Sequence, residues 1–344
     1  MRSGLTSTAK IPKTPLTAAS QPRGGVSVAP RPGTLGAYLV LSKARLSALV
    51  LLTTGIGYGL APAAGTDWLV LAATLLGTTF AAFGVNAINQ VMEIERDARM
   101  LRTRRRPLPA GTIRPAAGLA YGLGLALAGP LLLLVAVNPL TALLSLTCEI
   151  LYVAVYTPLK TRTPLNTLVG AVCGAIPPMM GWAAAAGTLG AGAWVLAAIL
   201  FIWQIPHFLA LAWMHRDDYR RGGFHMLPIR DADGQTTCQT ILVFGLALIP
   251  VTLMLTPAGV SGPWYAGGAL LLGMLFVTLC AALYRCRQTR RARGVFLASV
   301  IYLPLLMGLM VADRRTEPVR PAHESRPPAA IVRAAADPVR SPFR

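Results

Sequence analysis

The chain has 344 residues, 54% of them hydrophobic and only 13% charged, about half the charged share of a soluble globular domain. Its 32 Lys and Arg against 13 Asp and Glu give a formal net charge of +19, which alone would admit a nucleic-acid partner. The apolar runs exclude that: at roughly 20 residues each they are long enough to cross a bilayer, so no nucleic acid is expected, the lipid bilayer is the first partner, and the basic excess sets orientation.

Residues 1–36 contain Pro, Ser, Thr, Gly and basic residues with no acid, and no apolar stretch of the secretory kind. The acid-free composition suits a mitochondrial presequence, but Pro12, Pro15, Pro22, Pro30 and Pro32 oppose an amphipathic helix. A disordered cytoplasmic tail is the expectation. Apolar stretches follow at 37–62, 68–91, 114–136, 139–157, 164–186, 192–214, 239–257, 263–284 and 294–312. In lipid they must be helices, because lipid cannot satisfy free backbone groups. The expectation is an all-α, polytopic integral membrane protein of about nine transmembrane helices, its domain spanning 37–312.

The connections alternate in charge. Arg99, Arg102, Arg104, Arg105, Arg106 and Arg114 follow the second stretch; Lys160 and Arg162, then Arg216, Arg220, Arg221 and Arg230, then Arg285, Arg287, Arg290, Arg291 and Arg293 mark later ones. The connections Ala63–Asp67 and Thr256–Gly262 hold no Lys or Arg. The positive-inside rule therefore puts the N-terminus and every basic connection in the cytoplasm. The tail 313–344, rich in Pro, Ala and Arg, is expected to be disordered. Nine spans put it outside despite its arginines, so either one span is miscounted or a late tail escapes the rule; nine is favoured. Cys148, Cys173, Cys238, Cys280 and Cys286 form no CxxC pair, and most sit in apolar runs as small hydrophobes.

Acids are scarce, so their positions carry information. Asn89, Glu93 and Asp97 are spaced by four at the end of the second span, which puts them in one column on a helix. Two readings stand: a helix end reaching solvent, or intramembrane carboxylates with a function. The run Arg102-Thr-Arg-Arg-Arg106 beside them favours the second, since acids next to Arg forks suit a polyanion held through magnesium. Positive-inside anchoring accounts for at least half of those arginines. A second constellation ends the sixth span: Trp203-Gln-Ile-Pro-His207-Phe208, then His215-Arg-Asp217-Asp218-Tyr219-Arg-Arg221. Its recurrence four spans on suggests a duplicated four-helix unit, each half giving carboxylates to a shared cavity near the cytoplasmic face. The alternative for Asp217 and Asp218 is local balancing of Arg216 and Arg220. His207, beside Pro206, is either a packing hydrogen-bonder or a ligand. Trp203, Phe208, Tyr152 and Tyr156 are membrane aromatics whose π faces would stabilise a nearby carbocation.

At these residues the chain resembles the UbiA-type membrane prenyltransferases. The stretch Asn89-Gln-Val-Met-Glu93-Ile-Glu95-Arg-Asp97 through Arg102, Arg106 and Pro109 resembles their first acid-rich motif. Tyr156-Thr-Pro-Leu-Lys160 through Asn166, Gly174-Ala-Ile-Pro-Pro178, and Trp203 through Tyr219 agree with it. The resemblance covers roughly 37–312. It implies helices around a central cavity, farnesyl diphosphate as donor, protoheme IX as acceptor, magnesium (Mg2+) as cofactor, and heme A synthase as a partner. It assigns magnesium to Asn89, Glu93, Asp97 and Asp218, catalysis to the same residues with Asp217, and substrate contacts to Arg102, Arg106, Tyr156, Lys160, Trp203, His207 and Tyr219. Two departures stand out. Glu93 replaces the more frequent Asp, and the second motif lacks spaced acids, because four on from Asp217 and Asp218 come Arg221 and Gly222. The implied reaction ionises the allylic C–O bond, a heme vinyl group attacks, and water completes a hydroxyethylfarnesyl substituent. The rivals are a UbiA-type enzyme acting on a small aromatic and, from another class, a transporter. Transporters keep polar residues near mid-membrane, whereas these acids gather at cytoplasmic ends. The implied compartment is a bacterial inner membrane or a mitochondrial one.

Overall fold

The computed structural model describes residues 34–63 and 65–315; the two tails expected to be disordered lie outside them apart from three residues of each. The described chain is helical, with one isolated β-bridge between Ser261 and Arg314. The helices are α1 (Thr34–Leu41), α2 (Ala44–Leu60), α3 (Trp68–Met92), α4 (Ile94–Arg99), α5 (Pro115–Ala136), α6 (Pro139–Ile150), α7 (Thr157–Leu159), α8 (Asn166–Ala186), α9 (Ala191–Met214), α10 (Arg216–Arg221), α11 (Leu227–Arg230), α12 (Gln235–Leu253), α13 (Pro263–Arg285) and α14 (Thr289–Ala312). A π-helical turn, Leu151–Tyr156, joins α6 to α7.

Among the described residues eight segments are long and apolar enough to cross a membrane, and the bent pair α1–α2 makes a ninth. This agrees with the nine apolar stretches. The helices reach further into the polar layer than hydropathy suggests: α12 begins at Gln235 and α14 at Thr289, where polar or basic first turns continue the helix at the membrane surface.

The first span is broken. Lys43 has φ 49, a left-handed conformation that costs a non-Gly residue roughly 1–2 kcal/mol, and α1 and α2 meet there at 54°. Two side chains of α3 satisfy the carbonyls that the break frees: Gln90 donates to Val40 O and Leu41 O, and Asn86 donates to Ser42 O. Unpaired carbonyls in lipid would be costly, so Asn86 and Gln90 make the break tolerable.

Small residues let the helices approach. A Cβ at Gly181 on α8 would lie 1.8 Å from Thr54 O on α2, and one at Gly84 on α3 would lie 2.4 Å from Ala126 N on α5. Close backbone approach of this kind replaces the hydrophobic drive that lipid removes. Helices α2, α3, α5, α6, α8 and α9 pack in turn; α12, α13 and α14 pack beyond α9, and α14 touches α2. Leu127, Val135 and Trp264 lie bare on the outside, where lipid would cover them.

The basic connections gather on one face. Lys43 Nζ donates to Asn89 Oδ1, Lys160 Nζ to Glu93 Oε1, the Leu101 amide to Asp218 and the His225 amide to Lys160 O. At the other face Tyr58 donates to Asp67 O and Asn138 to Ala183 O.

Candidate active site

A cavity of about 380 Å³ opens between α2, α3, α6, α8 and α9, its walls including Glu93, Asp97, Arg102, Arg106, Lys160, Tyr152, Tyr156, Trp203, His207 and Tyr219. Its polar groups fall in levels. Uppermost stands Asp97, on α4. The amide of Glu93 bonds Asn89 O and that of Asp97 bonds Glu93 O, so the four-residue spacing survives the step from α3 to α4 and the three side chains remain one column. Arg106 Nη1 donates to Asp97 Oδ2 at 2.8 Å and Lys160 Nζ to Glu93 Oε1 at 2.9 Å. Below them Asn89 is bracketed: its Oδ1 accepts from Lys43 and its Nδ2 donates to Thr157 Oγ1. One turn deeper, Tyr152 donates to Asn86 Oδ1. Lower still, Ser145 donates to Glu149 Oε1.

Each carboxylate of the column has one oxygen tied to a cation and one left over. Asp97 Oδ1 is buried without a hydrogen-bond partner, while Glu93 Oε2 accepts no bond among the described residues. A buried acceptor with no donor is rare and calls for a missing partner. Asp97 Oδ1 and, one turn away, the uncommitted Glu93 Oε2 are hard oxygen donors of the kind magnesium takes alongside substrate phosphate. The residues therefore fit the ion. They do not form a closed protein cage: among the described residues no three His, Cys, Asp or Glu side chains converge.

The expected residues separate into three groups. Glu93, Asp97, Arg102, Arg106, Lys160, Tyr156, Trp203, His207 and Tyr219 all line one cavity. Asn89 is fully buried behind its wall, holding Lys43 and Thr157. Asp217 and Asp218 lie off the cavity, unlike the expectation of a second metal-bearing pair. Asp217 is exposed and pairs with Arg220 at 3.3 Å, the local balancing weighed as its alternative. Asp218 accepts from the Leu101 and Arg102 amides and from Arg221 Nη2 at 2.7 Å. Burial works to raise its pKa, but the Arg221 bond and the two amides outweigh it and hold the carboxyl below its usual value. Asp218 thus anchors the arginine loop to α10, and Arg102, so placed, lies over the Tyr219 ring at 6.0 Å.

Three wall residues were not singled out from sequence. Lys43 and Glu149 are charged side chains inside apolar stretches, and that conflict with their surroundings was the available signal. Gln204 donates to Leu200 O and Ala171 O, close against Gly174, where a Cβ would lie 2.0 Å from Gln204 Oε1. Gly174 therefore makes room for a buried amide that ties α9 to α8.

Residues 50–306 match the model of the UbiA prenyltransferase family. A protein of Solibacter usitatus named protoheme IX farnesyltransferase is 44% identical over 286 residues, covering 80% of this chain and 98% of its own. One of the same name from an Anaeromyxobacter species is 47% identical over 269 residues, covering 78% and 90%. Among solved structures, that of a digeranylgeranylglyceryl phosphate synthase superposes with TM-score 0.70 at 17% identity, covering 81% of this chain and 98% of that one. A UbiA homolog from Archaeoglobus fulgidus, bound to GPP and Mg2+, superposes with TM-score 0.61 at 12% identity, covering 80% and 99%.

Proposed function

The chain belongs to the UbiA prenyltransferase family, and we propose that it transfers the farnesyl group of farnesyl diphosphate to a vinyl group of protoheme IX, with addition of water, giving heme O and diphosphate. The observation that carries this reading is one cavity with two chemistries: a charged mouth of Glu93, Asp97, Arg102, Arg106 and Lys160, and a deeper wall of Tyr152, Tyr156, Trp203, His207 and Phe208. The mouth suits a diphosphate and the wall suits a flat aromatic acceptor beside a prenyl chain. Relatives that share over 40% of their residues with this chain carry the corresponding name.

Glu93 and Asp97 would hold the magnesium ion through their spare oxygens, whereas Asn89, its amide engaged by Lys43 and Thr157, would keep the column in place rather than ligate as the resemblance implied. Bound there, magnesium supplies positive charge to the leaving diphosphate. Arg106 and Lys160 do the same from the protein side. Each already sits at hydrogen-bond distance from a carboxylate, so each is pre-oriented and needs little reorganisation as charge develops. Arg102 is aimed by its own amide, which Asp218 holds. As the C1–O bond breaks, its electron pair leaves with diphosphate. The vinyl terminal carbon then bonds C1, the cation passes to the carbon next to the porphyrin, and a water oxygen bonds there and loses one proton to solvent. The π faces of Tyr156 and Tyr152, 5.2 Å apart, would stabilise such a cation, and the apolar wall keeps bulk water from quenching the allylic one early.

By this reading the protein works in a bacterial inner (cytoplasmic) membrane, its N-terminus and charged mouth on the cytoplasmic side, and hands its product to heme A synthase. The test is direct. Purified full-length protein with farnesyl diphosphate, magnesium and protoheme should form heme O and release diphosphate, whereas 4-hydroxybenzoate should not replace protoheme. Prenylation of the small aromatic in preference to heme would overturn the acceptor assignment.

A further inference from the structure

We propose that Nε2 of His207 is the axial ligand to the iron of the acceptor porphyrin, and that Ser299, on α14, is the positioning residue that prepares it. The proposal rests on the protoheme reading above and goes beyond it by naming how the acceptor is held.

A hydroxyl has one proton. Ser299 Oγ lies 2.6 Å from Phe296 O and 2.8 Å from His207 Nδ1. The Phe296 carbonyl can only accept, so the serine proton points there, and Ser299 Oγ must accept from Nδ1–H. That selects the neutral tautomer whose lone pair sits on Nε2, the form of imidazole that binds metals. Metal-binding histidines almost always donate their other ring nitrogen to a fixed acceptor in this way.

The ring is also held still. Trp203 stacks on it with centroids 5.0 Å apart, Phe296 lies at 4.9 Å, and Phe208 presents its edge at 5.5 Å. Trp203, one turn earlier on the same face of α9, donates its Nε1 to Ser299 O at 3.0 Å. Ser299 thus receives both aromatic side chains, one on its carbonyl and one on its hydroxyl. Ser299 lies behind the cavity wall while His207 is part of it. The ring edge opposite Nδ1 therefore faces the cavity, and Nε2 has no partner among the described residues and is not sealed away.

The depth is suitable. Gln204 meets α8 at Ala171, and Cys148 meets it at Cys173 O, so His207, one turn nearer the mouth than Gln204, stands level with Tyr152. Tyr152 in turn bonds Asn86, seven residues below Glu93, or roughly 10 Å along the helix. Iron held there would put the edge of the porphyrin, where the vinyl groups are, between His207 and the level of the charged mouth.

The experiment titrates purified full-length protein in detergent with protoheme and, separately, with metal-free protoporphyrin IX. Wild type should give a histidine-ligated Soret spectrum and bind protoheme more tightly than the metal-free ring. His207→Ala should lose that spectrum and that preference, regain the spectrum with added imidazole, and still bind the metal-free ring, which shows that the cavity is intact. Ser299→Ala should weaken protoheme binding ~10–100-fold, the usual effect of losing such a partner, without changing metal-free binding. His207→Gln guards against collapse of the alanine variant. An unchanged Soret band and affinity in both His207 variants would overturn the proposal while heme O formation by wild type left the function standing. If wild type neither binds nor farnesylates protoheme, the functional reading falls as well.

Discussion

Asp97→Asn removes one negative charge and almost no volume, so it separates chemistry from fold. In the native protein Asp97 Oδ2 receives Arg106 at 2.8 Å while Oδ1 is buried and unpaired. The asparagine oxygen can still accept from Arg106, which leaves the amide nitrogen in place of Oδ1, a donor where a cation should bind. The contact with Arg106 changes from an ion pair to a hydrogen bond between the guanidinium and a neutral acceptor, a loss of about 1–2 kcal/mol. Arg106 stays partly exposed, which limits the cost of its unpaired charge. The unfolding midpoint should therefore fall by only a few degrees, since the shift is roughly 2–4 °C per kcal/mol for 150–250 residues and shrinks further with length. The transition state loses more: a preorganised electrostatic partner is worth about 10²–10³ in rate, and here the ion and Arg106 are both disturbed. Heme O formation at saturating magnesium, with a melting curve on the same preparation, measures the two effects together. Activity within a few-fold of wild type would refute the reasoning, as would loss of activity that merely follows loss of folded protein.

Arg106→Lys keeps the charge and loses the planar fork, so the KM for farnesyl diphosphate should rise about tenfold or more, whereas Arg104→Ala, at an exposed position of the same loop, should leave it unchanged; steady-state kinetics on both decides whether the loop divides this way. Gly181→Ala places a methyl 1.8 Å from Thr54 O, a backbone atom that cannot swing aside, and should cost about 1–3 kcal/mol, read as a lower midpoint without a change in substrate preference. The Asp218 carboxyl is held below its usual pKa, so its contribution to docking the arginine loop is complete above the ordinary Asp range and lost as pH falls through the lower folded value. Hydrogen exchange at Leu101 and Arg102 should rise over that acid window, and Asp218→Asn should show the faster exchange already at neutral pH.

The spans were legible because lipid leaves the backbone one solution, and the acid column was legible because helical spacing of four is local information. Asn89, Glu93 and Asp97 hold together through two backbone hydrogen bonds, which any reader of the spacing could anticipate. What could not be read was partnership between distant residues. Ser299 lies 92 residues from His207 and Asp218 lies 117 from Leu101; nothing near either residue names its partner. The break at Lys43 was equally hidden, since the side chains that make it tolerable, Asn86 and Gln90, belong to another helix.

The second acid pair shows why symmetry of sequence is a poor guide to symmetry of a site. Both acid clusters follow a long helix at the charged face, and on pattern alone both promised carboxylates to the cavity. The difference lies in what each helix end meets. Glu93 and Asp97 face inward against single cations, Lys160 and Arg106, and keep an oxygen each. Asp218 instead meets two free amides at the turn after α4, and Arg221 takes up the remaining demand. A carboxylate with three donors has little left to offer a metal. The first half of the chain therefore concentrates the charge that would meet the anion, and the second half holds the arginine loop in place and provides Trp203, His207 and Tyr219 for the wall. Separating the two tasks suits a reaction in which one substrate is a polyanion to be neutralised and the other an apolar ring to be positioned.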